Sequence, residues 1–421
     1  MRSALAGLTT RGRCLLAAGL SLGVCAVLLG QRDLFRAAVF LLGLPIAAVV
    51  IVSRTRYRLA CGRLLDPPRV EVGQSSTVRL RLDNVSRLPS GVLLMEDHLP
   101  YVLGGRPRFV LDRVEPRGVR EVSYPVRSEV RGKYRVGPLS VRLTDPFGLV
   151  ELTRSFSGVD DLVVTPVVTP LPAVRLGGDW SSGGDAISRA VSATGHDDAA
   201  TREYRDGDDL RKVHWRSTAR VGELMVRREE QPFTSRGTLL LDARAVAHRG
   251  QGPGSSLEWA VSGLASIGVA LLRSGYALRL LGDHGGELVP APVPVTEGTL
   301  LEALASVAPS ARGNLDGCVD QLRRTGVEGL LIAVLGDVDA EDAEQLARLR
   351  HGGGTCVAVL MDTPTWAGST GTSSHAAASA LLTRAGWRVL TIRHGTTLSS
   401  VWPEAASRTG RAVDLTPGVP A

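Results

Sequence analysis

The chain has 421 residues, of which 44% are hydrophobic, 22% charged and 4% aromatic. That length calls for two or three domains, and the apolar fraction is ample for packed cores, which excludes wholesale disorder. Among 49 basic residues only Lys133 and Lys212 are lysines. Neither follows a glycine-rich turn, so a Walker A phosphate loop is excluded, and Schiff-base chemistry has only these two candidates. The formal charge is +7, yet residues 1–63 hold nine arginines against one acid, Asp33, which leaves the remainder at −1. A near-neutral remainder lacks the electrostatic footprint of a nucleic-acid binder, and no nucleic-acid partner is expected.

The N-terminal charges bracket two apolar runs. Cys14–Gln31 is 18 residues without a charge and Ala37–Ser53 is 17. At ~1.5 Å per residue each spans roughly 26 Å, enough for a bilayer core. Pro45 is tolerated inside a membrane helix. Arg2, Arg11, Arg13, Arg54, Arg56, Arg58 and Arg63 flank the outer ends, whereas Arg32 and Arg36 sit beside Asp33 in the turn. The positive-inside rule predicts a transmembrane hairpin over residues 1–63, lying in the cytoplasmic membrane with both termini cytoplasmic. A cleaved signal peptide is the alternative, but no small-x-small site follows Gly30 and a second span comes at once. Cys14, Cys25, Cys61, Cys318 and Cys356 show no paired spacing, which fits a reducing compartment without disulfides. The absence of any Cys-x-x-Cys or His-x-x-x-His argues against structural zinc.

Residues 66–170 read as β. Val78, Leu80 and Leu82 alternate with arginines, and Val122, Tyr124 and Val126, then Leu139, Val141 and Leu143, repeat the period of two. Turn signals at Asp83-Asn84, Pro89-Ser90-Gly91, Gly104-Gly105, Arg131-Gly132 and Asp145-Pro146 separate the runs. Around seven or eight such strands predict an immunoglobulin-like sandwich. Asp145-Pro146-Phe147-Gly148-Leu149 reads as a turn with an anchoring aromatic.

Residues 236–421 alternate strands with helices. Thr238–Leu241 is a buried strand, Ser255-x-x-Glu258 opens a helix to about Arg273, and Ala277–Leu281 is a second strand. Glu287–Val289 reads as an antiparallel edge. Helices follow near 297–307, 314–325, 341–350, 375–385 and 397–408, with strands at Gly329–Leu335, Cys356–Leu360 and Arg388–Ile392. This predicts a doubly wound α/β sheet, and the antiparallel edge favours a von Willebrand factor A-like arrangement over a plain Rossmann fold. Its site would lie at the carboxyl ends of the strands, where Asp242, Asp337, Asp362 and His394 fall. Factor A domains bind a metal there through Asp-x-Ser-x-Ser. Here the stretch is Asp242-Ala243-Arg244-Ala245-Val246, both hydroxyl ligands are absent, and no metal or other cofactor is expected. Gly250-x-Gly252-x-Gly254 has the wrong spacing for a dinucleotide loop and reads as a mobile connection, and Thr363–Ser374 is a second long loop at the same rim, a candidate for partner binding.

Between these regions, residues 171–235 hold a linker and the most informative run, Arg202-Glu203-Tyr204-Arg205-Asp206-Gly207-Asp208-Asp209-Leu210-Arg211-Lys212-Val213-His214-Trp215-Arg216-Ser217-Thr218-Ala219-Arg220. Asp208 is a natural N-cap, and Leu210, Val213, His214 and Ser217 then share one helical face. Gly222 turns the chain into a strand at Leu224-Met225-Val226.

This run resembles the signature of domain-of-unknown-function family fifty-eight, a set of bacterial membrane-associated proteins. The two-span hairpin, Arg131-Gly132-x-Tyr134, Asp145-Pro146-Phe147-Gly148-Leu149 and the factor A-like tail are similar to that family's architecture in order. The resemblance implies partnership with a MoxR-type AAA+ ATPase and a transglutaminase-like membrane protein, in assembly or maturation of membrane or secreted proteins. Two functions of different kinds are then in view. One is a membrane-anchored, non-enzymatic interaction module in which Arg202, Tyr204, Asp208, Asp209, His214, Trp215 and Arg216 dock a partner or join the soluble domains. The other is a metal-assisted hydrolase using Asp206, Asp208 and His214, or the rim acids Asp242 and Asp337. No Gly-x-Ser-x-Gly elbow or recognisable catalytic cysteine is present, which favours the first.

Overall fold

The computed structural model describes residues 7–54, 59–87, 89, 90, 92–112, 114–144, 147–174, 176, 201–204, 213, 215–227, 235–327, 329–352, 354–368 and 374–406. It forms two units, Met1–Pro166 and Val167–Ala421.

The first unit opens with two apolar helices, α1 (Thr10–Leu29) and α2 (Arg32–Arg54). Both are long and apolar enough to cross a membrane. Thr9 caps α1 by accepting from the Gly12 amide, and Gly30 ends it in the left-handed region at φ 63°. The turn is therefore Gly30-Gln31, and Arg32, Asp33 and Arg36 belong to the first turn of α2. The helices meet closely where Gly19 faces Leu42, since a Cβ on Gly19 would lie 2.8 Å from the Leu42 Cγ.

Ten strands follow among the described residues: nine within 66–170, where seven or eight are expected, and one that begins at Leu59, inside the stretch expected to belong to the hairpin. They are β1 (Leu59–Asp66), β2 (Arg69–Glu71), β3 (Ser75–Asn84), β4 (Leu93–Asp97), β5 (Arg108–Leu111), β6 (Val119–Arg127), β7 (Gly132–Val136), β8 (Leu139–Thr144), β9 (Glu151–Phe156) and β10 (Asp160–Thr165). The extra ones include β2 and β5, too short to display a period. They form sheets of order β1-β3-β6, β2-β10-β7 and β5-β4-β8-β9. Val78, Leu80, Leu82, Met95, Tyr124, Val126, Leu139 and Val141 share one core. The alternation in β3 thus places its apolar set inward, as period two requires.

A buried charge ties the strands together. Arg63 on β1 donates through Nη2 to Asp97 Oδ1 at 2.7 Å and through Nη1 to the Val136 and Gly158 carbonyls at 3.0 and 2.9 Å. The Tyr124 hydroxyl donates to Asp97 Oδ2 at 2.5 Å. Gly137 makes room, since a Cβ there would meet Arg63 Nη1 at 2.6 Å, and its φ of 109° also favours glycine.

The turn after β8 corrects one expectation. Phe147 is 60% exposed, whereas Leu149 and Val150 are buried against Ala48 and Val49. The anchors are the aliphatic pair, because they fit against the helices, and the aromatic faces outward.

The second unit begins with β11 (Thr201–Glu203), α3 (Trp215–Val221) and β12 (Met225–Arg227). An open sheet follows, built from β13 (Arg236–Leu241), α4 (Ser256–Arg273), β14 (Ala277–Gly282), α5 (Glu297–Ala305), α6 (Asp316–Thr325), β15 (Leu330–Leu335), α7 (Ala340–Ala347), β16 (Thr355–Met361), α8 (His375–Arg384), β17 (Arg388–Ile392) and α9 (Leu398–Val401). The sheet is wholly parallel, in the order β14-β13-β15-β16-β17. Residues alternate between its faces: Leu239 and Leu241 pack with α4 and α5, while Leu240 packs with α6 and α7. Both faces are covered, which is why β15 reads as an unbroken apolar run. The expected antiparallel edge is reduced to a single bridge between Leu281 and Glu287, made by the Leu288 amide donating to the Leu280 carbonyl and the Gly282 amide to the Gly286 carbonyl. The Gly250–Gly254 stretch ends in a 3₁₀ turn, Gly252–Gly254, that runs into the Ser255 cap of α4.

Candidate functional site

The sheet order reverses between β13 and β15, with β14 on one side and β16 and β17 on the other. Ligands of such sheets bind outside the carboxyl ends of the strands at that point. Asp242 stands there, directly after β13, and is fully buried. The chain continues Ala243-Arg244, and Arg244 folds back onto it. Its Nε and Nη2 donate to Oδ1 and Oδ2 of Asp242, each at 2.9 Å. The backbone amides of Arg244 and Gly336 donate to the same carboxylate at 3.1 and 3.2 Å. Gly336 reaches it only as glycine, because a Cβ would collide with the Ala247 carbonyl oxygen.

The remaining guanidinium donor serves a second carboxylate. Nη1 donates to Asp342 Oδ2 at 2.6 Å and to the Gly313 carbonyl at 3.1 Å, and Nη2 also reaches the Asp337 carbonyl at 3.3 Å. Asp342 accepts from the Leu315 amide at 3.0 Å through its other oxygen. Asp339 caps α7 and so presents Asp342 in the first helical turn. The Arg244 side chain is 2% exposed. Burial works against its charge, but the hydrogen bonds and charge of Asp242, then the charge and hydrogen bond of Asp342, hold its pKa above the ordinary arginine value. Burial raises the Asp342 carboxyl, and the Leu315 amide and Arg244 oppose that rise. The arrangement is a cation clamped between two carboxylates, with a fork geometry that a divalent ion does not need and a guanidinium does.

His248 closes the inner side. Its Nε2 donates to the Asp242 carbonyl at 2.8 Å, so Nδ1 accepts from the Ser256 hydroxyl at 3.0 Å. Burial depresses its pKa, which keeps the ring neutral. The other rim groups each have a partner of their own. Asp337 accepts from the Ser374 hydroxyl, Asp283 accepts from the Ser310 hydroxyl, and Asp362 pairs with Arg393 at 3.4 Å. His394 packs edge-on against Trp366 with ring centres 5.7 Å apart. Asp242, Asp337, Asp362 and His394, all just past strand ends, thus each engage a different side chain. Among the described residues no three His, Cys, Asp or Glu side chains are arranged to hold a metal ion. Cys318 and Cys356 are buried, with thiol pKa values pushed up to about 12 and about 11 by that burial, so neither is an activated nucleophile.

The run that carries the sequence resemblance is a small hairpin with a helix across its end. Arg202 pairs with Val226 and Glu203 with Met225, and the Tyr204 amide donates to the Leu224 carbonyl at 2.8 Å. Val213 also bridges to Val226, and both are buried. This corrects the expected helix from Asp208 through Ser217: Val213 is extended, because a β-branched residue facing Val226 is better buried in a bridge, and α3 begins only at Trp215. Gly222 turns the chain at φ 87° as expected, and the Thr218 hydroxyl accepts from the Met225 amide at 3.0 Å. Tyr204 is half-buried, Trp215 is 70% exposed and Arg216 is exposed beside it. Asp206, Asp208, Asp209 and His214 lie outside the described residues, as does the side chain of Arg202.

Residues 200–365 match the family model described as "Protein of unknown function DUF58". The DUF58 match takes in the β11–β12 hairpin, α3 and the whole Asp242–Arg244–Asp342 clamp. A relative from Bacillus subtilis (strain 168), "Uncharacterized protein YeaD", is 27% identical over 226 residues, which is 52% of this chain and 54% of that protein. The chain thus spans about half the length of the curated relative it matches. Among solved structures, the CARDB domain of a Pyrococcus furiosus protein is 12% identical with a TM-score of 0.20, covering 26% of this chain and 93% of that one. Spo0M, a sporulation control protein from Bacillus subtilis, is 10% identical with a TM-score of 0.16, covering 25% of this chain and 49% of its own.

The clamp is not among the candidate sites the sequence offers: Asp242 and Arg244 fall in the degenerate metal motif, and nothing local points to Asp342. The signal was an arginine two residues after a strand-end aspartate, a spacing that lets a guanidinium turn back onto the preceding carboxylate.

Proposed function

We propose that the protein is a membrane-anchored interaction module without catalytic activity of its own. It works with a MoxR-type AAA+ ATPase, alongside a transglutaminase-like membrane protein, in assembly or maturation of membrane or secreted proteins. The observation that carries this reading is the exposed Trp215 at the head of α3, next to Arg216, on the hairpin inside the DUF58 match. An exposed tryptophan beside an arginine is the composition of an interaction hot spot. The sequence resemblance supplies the kind of partner. The clamp argues against the rim version of metal-assisted hydrolysis at Asp242, whose carboxylate already holds Arg244.

In this reading α1 and α2 are two membrane spans with both termini cytoplasmic, argued from the arginine distribution. The strand-rich region is an immunoglobulin-like sandwich. The parallel sheet, with its vestigial antiparallel edge, is of the von Willebrand factor A-like type. A crosslinked pull-down from native membranes tests the function, comparing wild type with Tyr204→Ala/Trp215→Ala after both are shown to fold. Co-purification of an AAA+ ATPase with wild type and its loss in the variant is expected. Retention by the variant would make the hairpin structural, and absence of any ATPase from both would overturn the partnership.

A further inference from the structure

The turn between β8 and β9 is fastened to the entrance of the helical hairpin. The Thr9 amide donates to the Leu149 carbonyl at 3.0 Å, the Thr9 hydroxyl to the Gly148 carbonyl at 2.7 Å, and the Glu151 amide to the Gly7 carbonyl at 2.7 Å. Leu8 and Val150 form an antiparallel bridge. Leu149 and Val150 pack against Ala48 and Val49 of α2 and touch Leu8, Leu15 and Leu44. The approach is tight enough that a Cβ on Gly12 would lie 2.5 Å from the Leu149 oxygen.

These contacts fix the depth of the turn relative to the hairpin. On the α1 side they fall on Thr9–Gly12, two to five residues before the uncharged run that starts at Cys14, and on the α2 side on Ala48 and Val49, four and five residues inside the end of the uncharged run at Ser53. At ~1.5 Å per residue the turn thus straddles the edge of the apolar stretch, reaching about 3–8 Å to either side, the scale of one polar interfacial layer of a bilayer. Phe147, 60% exposed, projects from the turn at this level. Arg11 lies against the next residue, its Nη1 3.7 Å from where a Cβ on Gly148 would stand. An outward aromatic with an arginine nearby, at the depth where a span leaves the hydrocarbon, is the pattern of an interfacial anchor.

We infer that Phe147 and Gly148, in the connection from β8 to β9, form a lipid-contact surface, with the Phe147 ring seated in the interfacial layer of the same bilayer that α1 and α2 cross. This rests on the membrane-spanning reading of those helices. The surface gives the β unit a third attachment to the membrane and holds its sheets at a set angle to the hairpin. The site is not a ligand pocket, and its partner is the lipid surface itself.

The test places an environment-sensitive fluorescent amino acid, by codon suppression, at one of three positions of the full chain. The positions replace Phe147, Leu20 (exposed on α1) and Tyr101 (exposed in the loop after β4). Tyr101 lies at the opposite end of its sheet, since Asp97 pairs with Leu139, about 17 Å along β8 from the turn. Each protein is reconstituted in phosphatidylcholine–phosphatidylglycerol vesicles whose lipids carry nitroxides either shallow or deep in the acyl chain. Shallow nitroxides are expected to quench position 147 by about twofold, as for a ring in the interfacial layer, and to leave position 101 unchanged. Quenching at 20 by deep nitroxides with none at 147 would overturn the inference while leaving the spans intact. Quenching at neither would overturn the membrane reading and the inference with it. Equal quenching at 147 and 101 would mean that the whole unit adheres to lipid, which also overturns a contact specific to the turn.

Discussion

Arg63 and Arg244 are both buried arginines held by aspartate, one in each unit, but they are built for different purposes. Arg63 forks one fully buried carboxylate, Asp97, through Nε and Nη2, with the neutral Tyr124 hydroxyl donating to the same carboxylate, and its Nη1 goes to two carbonyls and, at 3.4 Å, to the half-exposed Asp160. It is a staple across strands. Arg244 stands between two carboxylates that are both buried, chelating Asp242 in the same fork geometry and reaching Asp342 by its third nitrogen. It occupies the point of an α/β sheet where a ligand cation would sit. Removing Arg63 leaves one buried carboxylate and a second that water reaches, whereas removing Arg244 leaves two buried carboxylates without their cation.

That difference orders the expected losses of stability. Arg244→Met should cost the α/β unit about 3–5 kcal/mol, because a broken buried pair leaves uncompensated charge. Adding Asp342→Asn should recover part of the loss, by removing one of the two stranded carboxylates. Arg63→Met should cost the β unit about 3 kcal/mol, the low end of that range, since Tyr124 continues to donate to Asp97. Denaturant unfolding of the full chain in detergent, followed by proteolysis fragments from each unit, measures both. Equal losses, or a larger one for Arg63, would break the comparison. Tyr124→Phe removes only a hydroxyl and should cost about 1–2 kcal/mol in the same assay.

The smallest effect is a pH dependence confined to the α/β unit. Burial holds His248 below its ordinary pKa of 6.5. A histidine depressed in the folded state contributes stability that is full above the unfolded pKa and is lost as pH falls through it. Stability of this unit should therefore decline from about pH 6.5 downward, and His248→Gln should flatten the slope. A slope that survives the substitution unchanged would assign it to other groups, such as His375, whose pKa burial also lowers.

The elements were legible wherever one physical signal dominated. Two apolar runs bounded by arginines gave α1 and α2, the strict alternation of Val78, Leu80 and Leu82 gave β3, and Ser255-x-x-Glu258 gave the start of α4. Legibility failed where a local preference lost to a distant contact. Val213 fits a helical face in sequence, but the facing Val226 draws it into a bridge. Phe147 reads as an anchor by its size, yet Leu149 and Val150 fill the space against the helices. The clamp was half visible, because Asp242 and Arg244 are neighbours, whereas Asp342 comes from 98 residues later and no local pattern announces it.

The most direct test of the account is a Mg²⁺ titration of the full chain in detergent, read as thermal unfolding of the α/β unit. With Arg244 as the resident cation, wild type should show no saturable stabilisation up to millimolar Mg²⁺, while Arg244→Ser, which frees both carboxylates, should gain one. Saturable stabilisation of wild type, lost on Asp242→Asn, would contradict the clamp and bring the metal-assisted reading of the rim back.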